Sequence, residues 1–202
     1  MPLWLAEQPL MLASRSEIRL ALLRNAGLPV EARAPDIDER SIERRAGKTG
    51  PGEVAALLAR EKARTIAGRH PARLVLGADQ TLTLEDRRFS KPIDRAAARE
   101  QLGVLRGRTH ELHTALALAR DGKTVWEHRE AARLTMREFS DAFLEAYLDR
   151  AGPAVTRSVG GYQLEGLGIQ LLEHVDGDHF VILGLPLLAL MSYLRQSGLL
   201  AR

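Results

Sequence analysis

An α/β fold is what the sequence predicts, and three stretches carry the prediction. Residues 10–27 read as a short aliphatic strand, Leu10-Met11-Leu12-Ala13, then a polar turn, a helix and a glycine stop at Gly27. Leu74-Val75-Leu76-Gly77-Ala78-Asp79 reads as a buried strand that runs out of core and ends on a carboxylate. Residues 111–120 and 124–136 read as two long strands meeting at Asp121-Gly122, a strong hairpin signal. In open α/β sheets, ligand clefts lie at the carboxyl edges of strands. Asp79 is therefore the first candidate for chemistry, and a turn cap is the plainer reading of the same residue.

The remaining elements follow in chain order. Ser14 and Glu17 have the S-x-x-E spacing of a capping box at the start of the first helix. The same helix N-terminus presents backbone N–H groups and hydroxyls, with Arg19 one turn along, a combination that favours phosphate. Residues 28–34 can form a second strand, followed by a polar turn, Pro35-Asp36-Ile37-Asp38-Glu39-Arg40, and a loop at Lys48-Thr49-Gly50-Pro51-Gly52. Residues 53–68 are expected to be helical, with Ala55, Leu58, Ala59, Lys62 and Ile66 on one face. Lys62 interrupts that apolar stripe, so its stem either snorkels to water or its ammonium points into a cleft.

Residues 81–84 read as the first arm of a hairpin around Glu85-Asp86-Arg87-Arg88, and Lys91-Pro92 leads to a helix over 94–105 with Asp94 at its N-cap. His110 and His113 do not form a metal pair, because three residues along a strand puts them on opposite faces. Ser140 starts another helix, ended by Ala151-Gly152-Pro153. Four glycines surround Glu165 in residues 159–168, where backbone must turn tightly or approach a ligand. A strand over 180–184 and a last helix opened by Pro186 close the chain. No repeat or linker divides it, so residues 1–202 are expected to form a single domain.

Composition narrows the function. The chain contains no cysteine, which excludes disulfides, thiolate nucleophiles and cysteine-based zinc sites. Met1-Pro2-Leu3-Trp4-Leu5-Ala6-Glu7 lacks the basic start of a signal peptide, and residues 181–191, the longest uncharged apolar stretch, contain Gly184 and Pro186. A spanning helix needs about 20 apolar residues. These features predict a cytoplasmic protein with no membrane partner. The net charge is +3, basic residues are scattered among acids, and aromatics make up 4% of the chain. Nucleic-acid surfaces cluster cations with stacking aromatics, so no nucleic-acid partner is expected.

Six motifs occur together in order: Leu12-Ala13-Ser14-x-Ser16-x-x-Arg19, Leu58-Ala59-x-x-Lys62-Ala63, Gly77-Ala78-Asp79, Lys91-Pro92, Leu105-x-Gly107-x-Thr109-His110 and Gly184-Leu185-Pro186-Leu187. On these residues the chain resembles the Maf family of nucleoside triphosphate pyrophosphatases, from about residue 10 to residue 194. The resemblance implies a twisted mixed sheet flanked by helices, related to the inosine triphosphate pyrophosphatases, with two lobes and a central cleft. It implies attack of water on the α-phosphorus of a nucleoside triphosphate, giving monophosphate and pyrophosphate. It also implies a divalent cation, Mg²⁺ or Mn²⁺, and a homodimer as an assembly common among such enzymes.

The residues suit that chemistry. A triphosphate needs cations and directed donors at short range. Ser14, Ser16 and the adjoining helix N-terminus supply donors; Arg19, Lys62 and Lys91 supply charge. Asp79 either takes a proton from the attacking water or binds the metal that positions it, and Glu39, in the Asp36-Ile37-Asp38-Glu39 turn that resembles the family's acidic motif, is the second carboxylate for metal or base.

Three departures from the commonest Maf pattern bear on the base. Ile18 stands where a first arginine is usual, Gln80 where a threonine is usual and Glu165 where a glutamine is usual. Gln80 with Glu165 resembles the branch that hydrolyses 7-methyl-GTP. Guanine presents N1–H and N2–H₂ donors, which suit a carboxylate, and N7-methylation makes the base cationic. The alternatives are a dTTP/UTP or broad house-cleaning pyrophosphatase on the same scaffold, and a non-catalytic regulator of cell division.

Overall fold

In the computed structural model the described residues are 2–47 and 49–202. Met1, in the N-terminal stretch read above, and Lys48, in the predicted loop, lie outside them. The strands are β1 (Leu10–Ala13), β2 (Val30–Arg33), β3 (Val75–Leu84), β4 (Arg87–Phe89), β5 (Thr109–Arg120), β6 (Lys123–Met136) and β7 (Leu172–Asp176). The helices are α1 (Glu17–Asn25), α2 (Glu39–Ala46), α3 (Pro51–Arg69), α4 (Arg95–Leu105), α5 (Asp141–Ala151), α6 (His179–Ile182) and α7 (Leu187–Gln196). The strands form one mixed sheet in the order β2-β1-β3-β5-β6-β7, with β4 on β3. β1 runs parallel to β2 and β3, whereas β4 and β7 are antiparallel to their neighbours.

By packing, the chain falls into two compact units. The first comprises Met1–Asp79, Thr114–Glu130 and Gly184–Arg202, and the second Gln80–His113 and Ala131–Leu183. In unit 1, Ala55, Ala59, Ala63 and Ala67 of α3 meet Met11, Ala13, Val75, Ala115 and Ala117, and Leu10, Leu12, Leu76 and Leu116 are fully buried as well. In unit 2 the core includes Leu82, Leu102, Leu134, Phe139, Leu144, Tyr147 and Tyr162.

Several expectations need correction. β3 does not end at Asp79 but continues to Leu84, because Leu82, Thr83 and Leu84 find partners in β4. Its parallel pairing with β1 does stop two residues before Asp79, at Ala13↔Gly77. The N-cap of α1 is Ser16, not Ser14: Ser16 Oγ accepts from Arg19 N at 3.4 Å. The polar stretch from Glu39 forms α2, capped by Asp38, whose carboxylate accepts from Ser41 N. Pro51 and Gly52 belong to α3 rather than to a loop, Pro51 being tolerated where no helical N–H is needed. The expected strand at 180–184 is a helical turn, α6, because Asp178 Oδ1 captures the N–H groups of Phe180 and Val181.

Candidate functional site

The site in unit 1 begins with a glycine. On β3, Gly77 and Asp79 lie two apart and so share a face. A Cβ at Gly77 would stand 2.1 Å from the Ala59 carbonyl oxygen and 2.8 Å from Ala63 N, so only glycine lets α3 lie this close. The close approach delivers Lys62, the residue before Ala63, to Asp79: Lys62 Nζ donates to Asp79 Oδ1 at 2.6 Å. The same ammonium pairs with Glu39 Oε1 of α2 at 2.8 Å. Lys62 is 7% exposed and Asp79 8%, while Glu39 reaches in from the surface. The lysine that interrupts the apolar stripe therefore points inward and joins two carboxylates.

Burial pushes the Asp79 carboxyl above its ordinary range, against the opposing pull of the Lys62 and Arg19 charges. Burial likewise draws the Arg19 guanidinium down, and Asp79 and Glu39 hold it up. Asp79 Oδ2 has no protein partner among the described residues, which leaves it able to accept from water.

The β1–α1 connection begins beside this cluster, since Ala13 pairs with Gly77 and Ser14 follows. Ser14 Oγ accepts from Ser16 N at 3.1 Å, and Ser16 Oγ caps α1. Both hydroxyls therefore lie in the turn whose backbone N–H groups open the helix. Arg19 Nη1 donates to the Ala78 carbonyl at 2.7 Å and Nε to the Gly184 carbonyl at 2.8 Å. Ile18 is a partly buried residue of α1.

The other candidates belong to unit 2. Gln80 donates through Nε2 to the carbonyls of Val181 and Ile182, at 3.0 and 3.1 Å. Its amide thus ties the end of α6. Lys91 is exposed between β4 and α4. Glu165 is exposed at the tip of a tight turn; Gly168 closes that turn, since a Cβ there would meet the Gln163 carbonyl oxygen at 2.3 Å. No side-chain partner for Glu165 occurs among the described residues.

His110 and His113 point to opposite sides of β5. His110 is 1% exposed and its Nε2 lies 2.6 Å from Tyr162 Oη, whereas His113 faces Thr83 and Glu111. Among the described residues no three or more histidines, aspartates or glutamates converge as a ready-made metal cage. No helix among them is long and apolar enough to cross a membrane.

The sequence pointed to Asp79, Lys62 and Glu39, but not to the backbone groups that hold them. The carbonyls of Ala78 and Gly184 have no side-chain signature. Gly77 had one: a glycine in an aliphatic strand, with alanines four apart on the helix that packs against it.

Comparison with known proteins places the chain in a family. A sequence model of the family described as Maf-like protein matches residues 9–197. A nucleoside triphosphate pyrophosphatase of Rhodopseudomonas palustris strain BisB18 is 57% identical over 201 residues, covering 100% of both chains. One of the same name from Paramagnetospirillum magneticum is 51% identical over 190 residues, 93% of this chain and 98% of its own. Among solved structures, a HAM1 protein from Coxiella burnetii covers 63% of this chain and 72% of its own at 19% identity and a TM-score of 0.44. With a family match over nearly its full length and relatives above half identity end to end, this chain belongs to the Maf family.

Proposed function

We propose that this chain is a nucleoside triphosphate pyrophosphatase acting on 7-methyl-GTP or a similarly modified guanine nucleotide, with residues 1–202 working as one catalytic domain. The observation that carries the reaction class is the buried Asp79–Lys62 pair, extended to Glu39 and set beside the opening turn of α1. Relatives sharing more than half of the sequence bear the pyrophosphatase name, which supports the same reading.

In the reaction, a water oxygen attacks the α-phosphorus, the bond from that phosphorus to the α,β-bridging oxygen breaks, and pyrophosphate leaves. Asp79 Oδ2 accepts the water proton; a carboxyl raised by burial is a stronger base for the task. Lys62 holds Asp79 in place and contributes positive charge where negative charge gathers. Ser14, Ser16 and the N–H groups at the start of α1 bind phosphate oxygens, Arg19 adds charge to the floor of the site, and the Lys91-Pro92 motif supplies a further cation.

The donor set also fits a divalent cation. Two carboxylates, Asp79 and Glu39, already converge on a single ammonium, and Mg²⁺ typically takes one or two carboxylates with water and substrate phosphates completing its shell. When bound, such an ion neutralises phosphate charge and lowers the pKa of coordinated water. Asp79 and Glu39 are the residues that would hold it.

For the base, the reading rests on Glu165, whose carboxylate suits the N1–H and N2–H₂ edge and the positive charge of a methylated guanine. Gln80 is less suited to direct reading, because both contacts of its amide nitrogen go to backbone carbonyls. Ile18, in place of an arginine, leaves less positive charge to oppose a cationic base. The test is pyrophosphate release with Mg²⁺ and with Mn²⁺ from 7-methyl-GTP, GTP, dTTP, UTP and ITP. The highest kcat/KM is expected for 7-methyl-GTP, with Glu165→Gln lowering that preference. Preference for dTTP or UTP overturns the base assignment, and no release from any nucleotide overturns the reaction class.

A further inference from the structure

The Gly184-Leu185-Pro186 segment lies more than a hundred residues after Asp79 and carries no group of acid, base or phosphate chemistry, yet it reaches the site. Arg19 joins them within unit 1. Its Nε donates to the Gly184 carbonyl and its Nη1 to the Ala78 carbonyl, so two of its three nitrogens are spent on backbone oxygens. Ala78 is the residue immediately before Asp79. Gly184 sits at φ +85°, a conformation that suits glycine, and a Cβ there would stand 3.1 Å from Arg19 Nη2 and 3.3 Å from Nε. Glycine at this position therefore does two things: it aims its carbonyl at the guanidinium, and it leaves the guanidinium room to lie flat against the backbone.

We infer that Arg19 and Gly184 are positioning residues of the proposed pyrophosphatase site, the guanidinium clamping the Gly184 carbonyl to the Ala78 carbonyl and so fixing the backbone that carries Asp79. The assignment rests on the reading of Asp79 as a catalytic group. It differs from a phosphate-binding role for Arg19, which would use its side-chain charge on the substrate. A lysine keeps that charge but presents it as a single point, so it cannot hold two carbonyls at the fixed separation that Nε and Nη1 of the planar guanidinium set.

The experiment compares kcat and KM, per folded enzyme, for the native protein, Arg19→Lys, Gly184→Ala and the double variant, with far-UV circular dichroism establishing the folded fraction. Each single change is expected to lower kcat by about tenfold or more while KM stays within about threefold, as misplacement of a reacting group does. The double variant should be no worse than the poorer single one, because both remove the same clamp. A raised KM with kcat retained in Arg19→Lys overturns the inference, as does a double-variant loss equal to the product of the single losses. If Gly184→Ala does not fold, the kcat and KM of Arg19→Lys decide alone. Hydrogen exchange at Arg19 Nε–H provides a readout independent of turnover. Slow exchange in the native protein that quickens in Gly184→Ala supports the clamp even if no nucleotide is hydrolysed, an outcome that would sink the pyrophosphatase reading alone. Fast exchange in the native protein overturns the clamp.

Discussion

Lys62 shows how far a single residue can be read from sequence. A lysine on an apolar helix stripe has two physical resolutions, an outward stem or an inward partner, and periodicity does not choose between them. The choice is made by Gly77 on another element, which lets α3 come close enough for a 2.6 Å contact with Asp79. Gln80 shows the converse. With Glu165 it resembles the branch that hydrolyses 7-methyl-GTP, and in the structure its amide donates to the carbonyls of Val181 and Ile182, backbone partners that carry no sequence signal. At this scale His110 gives a test of stability. Burial draws its imidazole down to about 4, from 6.5, and its ring is held neutral against Tyr162. Between these values the unfolded chain binds the additional proton, so stability is complete above about pH 6.5 and is lost as pH falls toward 4. The loss amounts to about 3 kcal/mol at one pKa unit per 1.36 kcal/mol. Urea unfolding of the native protein and His110→Asn across that range should show the variant with the flatter dependence; equal slopes would assign the loss to other groups.

Elements were legible where a local signal and the tertiary partner agree. Asp121-Gly122 has left-handed backbone at both residues, φ 52° and 71°, as a two-residue hairpin turn requires. Asp94 and Ser140 cap α4 and α5 through their own side chains, accepting from Ala97 N and Phe143 N. Replacing Ser140 by alanine should cost about 1 kcal/mol in denaturant unfolding, without altering turnover per folded molecule. Other elements were hidden for identifiable reasons. α2 offers only Ile42 and Ala46 as apolar residues, too short a run to read as a helix without the Val54 and Leu58 of α3 against which it packs. β7 is mostly exposed and owes its conformation to pairing with Arg133–Met136 of β6. Phe180-Val181-Ile182-Leu183 is a short apolar run that suits strand or helix, and the Asp178 cap decides for helix. The contact between α3 and β3 yields a sharper prediction. Gly77→Ala forces a methyl group into the α3 backbone and should cost about 1–3 kcal/mol of stability, with a fall in kcat as Lys62 is pushed from Asp79. Unaltered stability and turnover would show that α3 is not held at that distance in solution.

For the whole molecule, packing gathers five stretches of chain into two compact units, and no linker marks them in the sequence. The reason is physical: β3, β5 and β6 each contribute residues to both units, so no stretch between units is free to look like a linker. Small side chains are confined to the contact between α3 and the sheet, where Ala55, Ala59, Ala63 and Ala67 pack, a local feature that composition averaged over the chain conceals. Family membership was legible for the opposite reason: six short motifs occur in order over nearly the full length. Pyrophosphate release from Asp79→Asn beside the native protein, at matched folded concentration and saturating 7-methyl-GTP with Mg²⁺, shows whether the Asp79–Lys62–Glu39 cluster performs nucleotide hydrolysis. The variant is expected to fold and its kcat to fall by about 100-fold or more, since a near-isosteric amide keeps the shape and loses the base and the charge. A folded variant that turns over at the native rate would rule the cluster out as the site of hydrolysis.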